Sequence, residues 1–362
     1  MDRATGTRLM QSIAADRLTI LCGAGLSMAP PSNAPSAAKV AAECARRYMD
    51  RVGDPLPDDV ATDLEQMSQW FRQERRFDDL FIQTLVPWEL FNVRANDGHE
   101  AIADFLACGV VQSGITTNFD CLIETAAQSL GEPDFLSIVD VEDLSHRFEH
   151  RPLLKVHGCS ALNKSRLATV WCKEQLDEPE FQNRMNHFRN WLHAHLLDRD
   201  VLIVGFWSDW AYLSELFAGI INATGPRNVF LVDPCPPPVL KEKAPTMWYW
   251  AHRPGITFYH VQASGAEFLN DLRTHFSRVW TRQILSDAAD TYQRLFEAPP
   301  PPTDSALEAA DCWLLYALRR DLSGIPGGAE GCQTLFLVSH SARKNQKQSL
   351  TLRSCGRLIT KG

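Results

Sequence analysis

The 362-residue chain is long enough to bury a large core and exceeds one typical domain. Its formal charge of −8 argues against nucleic-acid binding through a bulk positive field, and no apolar run reaches bilayer-spanning length or resembles a secretion leader. A cytoplasmic protein without membrane contact is the simplest expectation, and ten cysteines without a C-x-x-C pair read as free thiols, with no zinc expected.

Leu18 to Cys22 reads as a buried strand that runs into Gly23-Ala24-Gly25. Pro30, Pro31 and Pro35 follow and should prevent an immediate helix. Helical periodicity then occupies Ala37 to Val52, Asp59 to Arg75, Phe77 to Phe91 and His99 to Cys108. A crossover needs one helix, so residues 36–108 form an insertion or subdomain beside the glycine loop. Further apolar strands are expected at Val110 to Thr116, Leu153 to Val156, Val201 to Gly205, Val229 to Asp233 and Ile256 to Val261.

Strands without polar alternation, separated by helices, predict an α/β fold: a Rossmann-like doubly wound parallel sheet with the helical insertion and a C-terminal helical extension. The main domain is expected over 1–297, with a long helical stretch from Glu267 to Leu295. A Pro-rich linker over 298–303 leads to a C-terminal helix over 304–323, capped by Thr303 or Asp304. Residues 324–362 lose acidic residues after Glu330 and gather Arg and Lys, as in a tail with little packing.

Four strand ends carry candidate chemistry. Gly23, Ala24 and Gly25 would let backbone amides approach a diphosphate, although small residues at a strand end also serve tight packing. The third glycine and prompt helix of a hydride-transfer fingerprint are missing. "TTNFD" places Thr117, Asn118 and Asp120 at a strand end, where Asp120 can cap the following helix. "KVHG" places His157 after another strand, and "VGFWSD" offers Gly205 with Ser208 or Asp209 as a cap. His193 and His195 form an H-x-H pair, but that spacing points to different helix faces and gives a metal nuclease little support.

The order of these pieces, followed by "FLVDP" and "ASGAEFL", resembles the SIR2 (sirtuin) family over roughly Arg17 to Leu272. The resemblance implies NAD as substrate, with Gly23, Ala24, Gly25, Ser27 and Thr117 on the diphosphate and ribose side. It implies Asn118 and Asp120 beside the nicotinamide ribose, His157 as catalytic histidine, and Gly205, Ser208, Asp233 and Ser264 toward the adenosine. Paired C-x-x-C motifs of the family's deacylases are absent, and "APPSNAPSA" stands where those enzymes have Asp-Phe-Arg.

These departures resemble the SIR2-like NADase effectors of bacterial antiphage defence. That likeness implies hydrolysis of NAD to nicotinamide and ADP-ribose, a homo-oligomer, and a companion protein such as a HerA-type ATPase or an Argonaute-like protein. The alternatives are a module that senses NAD or ADP-ribose without turnover, and an NAD-dependent deacylase or ADP-ribosyltransferase.

Overall fold

The computed structural model describes residues 3–161, 166–196, 198–208, 226–297, 299 and 304–323. The expected basic tail, Asp209 as a cap, and most of the proline linker lie outside them. Among the described residues the chain divides into two compact units, Met1–Ala126 with Phe135–Phe268 and Ala127–Asp134 with Leu269–Gly362.

The first unit is built on seven parallel strands: β1 (Leu18–Cys22), β2 (Ser113–Thr116), β3 (Ser137–Ile138), β4 (Leu153–Lys155), β5 (Asp200–Val204), β6 (Asn228–Val232) and β7 (Thr257–Val261). Their spatial order is β3-β4-β2-β1-β5-β6-β7. The doubly wound expectation is correct, and the short edge strand β3 adds to it. Every residue of β1, β2, β4, β5 and β6 is buried, which explains why these strands show no polar alternation.

The order in which strands are added reverses at β1, which pairs with β2 on one side and β5 on the other. Loops leaving β1 and β5 therefore diverge at a topological switch point, where open α/β sheets form ligand crevices. No helix among the described residues is long and apolar enough to cross a membrane.

The insertion has its own aromatic core, including Tyr48, Phe71, Phe77, Phe81, Trp88 and Phe91. Its first helix covers Ala37–Val52 as expected, capped by Ser36 and ended by Gly53 at φ 86°. The stretch expected as one helix from Asp59 to Arg75 is two, Asp58–Ala61 and Leu64–Gln73. Asp63 starts the second by accepting from the amides of Glu65 and Gln66. Phe77 to Phe91 is likewise divided into a π-helix, Phe77–Leu85, and a 3-10 turn, Trp88–Phe91. Pro87 stands between them and has no N–H to continue a ladder. One short helix, Ala24–Ser27, does open directly from the glycine turn, because the prolines begin only three residues beyond it.

In the second unit the expected single C-terminal helix over 304–323 is corrected to two helices, Asp304–Ala309 and Cys312–Leu322. Asp311 interrupts the run by capping the amide of Leu314 at 2.8 Å. Leu307, Leu315, Tyr316 and Leu318 form that unit's small core, and Tyr316 bonds Thr274 Oγ1 at 2.6 Å and Asn270 Oδ1 at 2.9 Å.

Candidate active site

Ser27, at the end of the short helix after β1, is 2% exposed and lies at the centre of a polar cluster. Its Oγ donates to Asp120 Oδ2 at 2.8 Å and accepts from Asn118 Nδ2 at 3.0 Å. His99 Nε2 lies 3.1 Å from the same oxygen. The tautomer follows from the other ring nitrogen, because His99 Nδ1 accepts the backbone N–H of Asn96 at 3.2 Å. Burial lowers the imidazole's pKa, so the neutral ring carries its proton on Nε2 and donates to Ser27.

Ser27 is thus saturated, with one proton given and two accepted. The trio Ser27, His99 and Asp120 is therefore no activated nucleophile: the histidine supplies a proton where a general base would take one. Its work is to hold Asn118 and Asp120 in place.

Asp120 is also fully engaged, since Oδ1 accepts from the amide of Leu122 at 3.2 Å and its backbone carbonyl accepts from Lys155 Nζ. Asp120 thus sits one residue ahead of the cap position and bonds the amide of the helix's first residue, Leu122. Asn118 is held from below as well, its amide donating to Thr116 Oγ1 at 3.0 Å. Between them Phe119 reaches away into the insertion and stacks on Trp171.

His157 follows β4 and is buried. Burial foremost, then the neighbouring Arg184 guanidinium, lowers its pKa to about 3, while a hydrogen bond to the Thr117 backbone opposes the shift. The imidazole is therefore neutral in this structure, with one N–H given to Thr117 and the second nitrogen in the acceptor role. Gly158, at φ 89°, turns the chain immediately afterwards.

The glycines allow close backbone packing, one of the two roles their position suggests. Gly23 N–H donates to Val204 O at 3.2 Å and Gly25 N–H to Gly205 O at 2.9 Å. A Cβ on Gly25 would stand 2.9 Å from Gly205 O, and one on Gly205, at φ 61°, would stand 2.3 Å from Leu26 N. Here Gly23, Gly25 and Gly205 seat the β1 loop on the end of β5, with Ala24 in the short helix between them.

Asp233 follows β6, and its Oδ1 accepts from the amide of Cys235 at 2.8 Å. Ser208 and Ser264 are half-buried in the loops after β5 and β7. The structure thus joins Ser27, Asn118 and Asp120 directly and brings Thr117 to His157, while Ser208, Asp233 and Ser264 stand at neighbouring strand ends.

Two functional neighbours escape sequence reading. His99 is signalled only by the Asn96-x-x-His99 capping box, in which the histidine side chain closes back on the cap amide. Arg184, on the helix Pro179–Leu196, has no local signal at all.

A model of the SIR2-like domain matches residues 112–258, a span containing Asn118, Asp120 and His157. This span is similar to the SIR2-like domain. Solved structures similar to it include a SIR2 homologue–NAD complex, 16% identical over 74% of this chain and 91% of that one, with a TM-score of 0.42. Another is a mutant Sir2 homologue complexed with ADP-ribose, 18% identical over 79% and 98%, with a TM-score of 0.43. No curated protein sequence matches the chain. The matched span begins after the insertion, so the glycine loop and His99 lie outside it.

Proposed function

We propose that this chain hydrolyses NAD to nicotinamide and ADP-ribose. The observation that carries the reading is the Ser27-centred cluster, which presents the Asn118 amide beside a buried carboxylate on the same rim as a neutral imidazole. This donor set fits NAD. A carboxylate favours the positive character that develops on the ribose as its bond to nicotinamide breaks, and a neutral histidine can receive a proton.

In the reaction the C–N glycosidic bond breaks, nicotinamide leaves with the bonding pair, and a water oriented by Asn118 bonds to the anomeric carbon. The water's proton passes to the accepting nitrogen of His157. Asp120 acts as a positioning carboxylate, since both of its oxygens are already bonded. Gly205, Ser208, Asp233 and Ser264 would line the adenosine side, with Gly23, Ala24 and Gly25 bordering the diphosphate.

The absence of paired C-x-x-C motifs supports water rather than acyl-lysine as acceptor. On this reading the protein is a cytoplasmic antiphage effector that depletes NAD when assembly of several copies or a companion protein releases it. The test is nicotinamide release by the purified chain, alone and co-expressed with its genomic neighbour, beside Asn118→Ala. Release that vanishes in the variant supports hydrolysis. Calorimetric NAD binding without release under either condition supports the sensing module instead, and release that requires an added acyl-peptide supports a deacylase.

A further inference from the structure

The residue directly after Asp120 and the second residue after His157 are both cysteines, and their sulfurs lie 3.3 Å apart. Lys155 Nζ, buried beneath them, is 3.8 Å from Cys121 Sγ and 2.9 Å from Glu124 Oε1. The two loops are already tied at this point, the amide of Ser160 donating to Phe119 O at 2.7 Å.

Cys121, Glu124 and Cys159 together could be read as three metal ligands. The buried ammonium argues otherwise, because it neutralises the carboxylate and sets a fixed positive charge beside the sulfurs. That same charge suits a thiolate.

We propose that Cys121 and Cys159 are a reversible redox pair, closed into an intramolecular disulfide by hydrogen peroxide or a small organic hydroperoxide. The pair stands apart from the other thiols of the sheet and insertion. Burial pushes Cys22 and Cys44 up to about 12, whereas the Cys121 S–H bond chiefly, opposed by burial and helped by Lys155, brings Cys159 down to about 6. Cys121 rises correspondingly as the proton-holding partner.

Cys159, the thiolate, attacks one peroxide oxygen, the O–O bond breaks, and the departing hydroxide takes up a proton to leave as water. The Cys121 sulfur then attacks the sulfenic acid on Cys159, the S–O bond breaks, and the thiol proton leaves with that oxygen as a second water. Two thiols lose two electrons and one hydrogen peroxide becomes two waters. Half-buried Cys121 gives the small oxidant its approach. Closure links the loop bearing Asn118 and Asp120 covalently to the loop bearing His157.

This inference does not rest on NAD turnover, and its test reads sulfur chemistry alone. The reduced full-length protein is treated with one equivalent of hydrogen peroxide, its remaining thiols are alkylated, and its peptides are mapped without reduction. The expected result is a linked peptide pair containing Cys121 and Cys159, lighter by two hydrogens and separated by dithiothreitol. In Cys121→Ser, where Cys159 has lost its resolving partner, one equivalent should leave Cys159 as sulfenic acid and a second should carry it to sulfinic acid. The proposal is overturned if exposed Cys312 oxidises while Cys121 and Cys159 stay fully alkylated, or if wild-type Cys159 reaches sulfinic acid without a cross-link. It is equally overturned if the purified protein holds one zinc per chain that Cys121→Ser or Cys159→Ser loses.

Discussion

The ring of Phe119 stacks on Trp171, centroids 4.8 Å apart and planes 26° from parallel, and meets Phe91 edge-on at 5.5 Å. Phe119 is the residue between Asn118 and Asp120, so the loop that presents both polar groups is anchored in the aromatic core of the insertion. The insertion therefore meets this loop through Phe119, in addition to the bond of His99 to Ser27.

Phe119→Ala should remove that anchor. About 2 kcal/mol of stability should be lost, less than for a fully buried ring because Phe119 is half-buried. Nicotinamide release should fall by more than the unfolded fraction accounts for, as Asn118 loses its orientation. Urea melts and initial rates on the same samples check this, and rates that merely track the folded fraction would contradict it.

His157→Ala should reduce nicotinamide release by about 10² to 10⁴-fold, the usual cost of losing a positioned base. A parent-like rate would remove His157 from the mechanism.

The same histidine should govern acid stability. Unfolded, it protonates near its ordinary 6.5, but folded it resists to about 3. Between those values the unfolded chain binds the extra proton, so stability rises with pH through the window and is complete above it. The slope is about 1.4 kcal/mol per pH unit for this one group. His157→Gln, which cannot titrate, should show a shallower loss of urea midpoint as the pH falls from about 6 to about 4, inside that window. Parallel profiles would contradict it.

His99→Ala should cost about 1–3 kcal/mol, because it deprives Ser27 Oγ and the Asn96 amide of partners in a buried site. The loss should also appear as slower NAD turnover through a loosened Asn118. Denaturant unfolding paired with kcat measurement checks both effects.

Lys155→Met should destabilise by about 3–5 kcal/mol by leaving Glu124 as an uncompensated carboxylate, and adding Glu124→Gln should recover much of the loss. Burial opposes the lysine's charge, yet Glu124 foremost among its neighbours keeps the pKa above the ordinary lysine value. A double-mutant cycle with no coupling would exclude the pair as a unit.

Much of the architecture was legible locally. Apolar runs without alternation marked six of the seven strands, since strands buried on both faces need no polar side. Only β3 escaped, two residues long and too short to show a pattern. The insertion was visible as helical periodicity, but its division into shorter helices was not, because Asp63 caps two amides and Pro87 lacks an N–H, local effects that a periodic pattern averages over.

Asn118, Asp120 and His157 could be picked out because each follows a strand, where side chains gather at one edge of a parallel sheet, and Ser27 through the resemblance to the SIR2 family. Their partners could not. His99 is 72 residues from Ser27, Cys121 is 38 from Cys159 and Lys155 is 31 from Glu124. Gly25 and Gly205 were legible as glycines that could serve a phosphate or tight packing, but not as two positions that bring these two backbones together. Strand ends and caps are local properties of the chain and can be read along it. Which strand lies beside which, and hence which proton or charge meets which partner, is set only when the crossovers close.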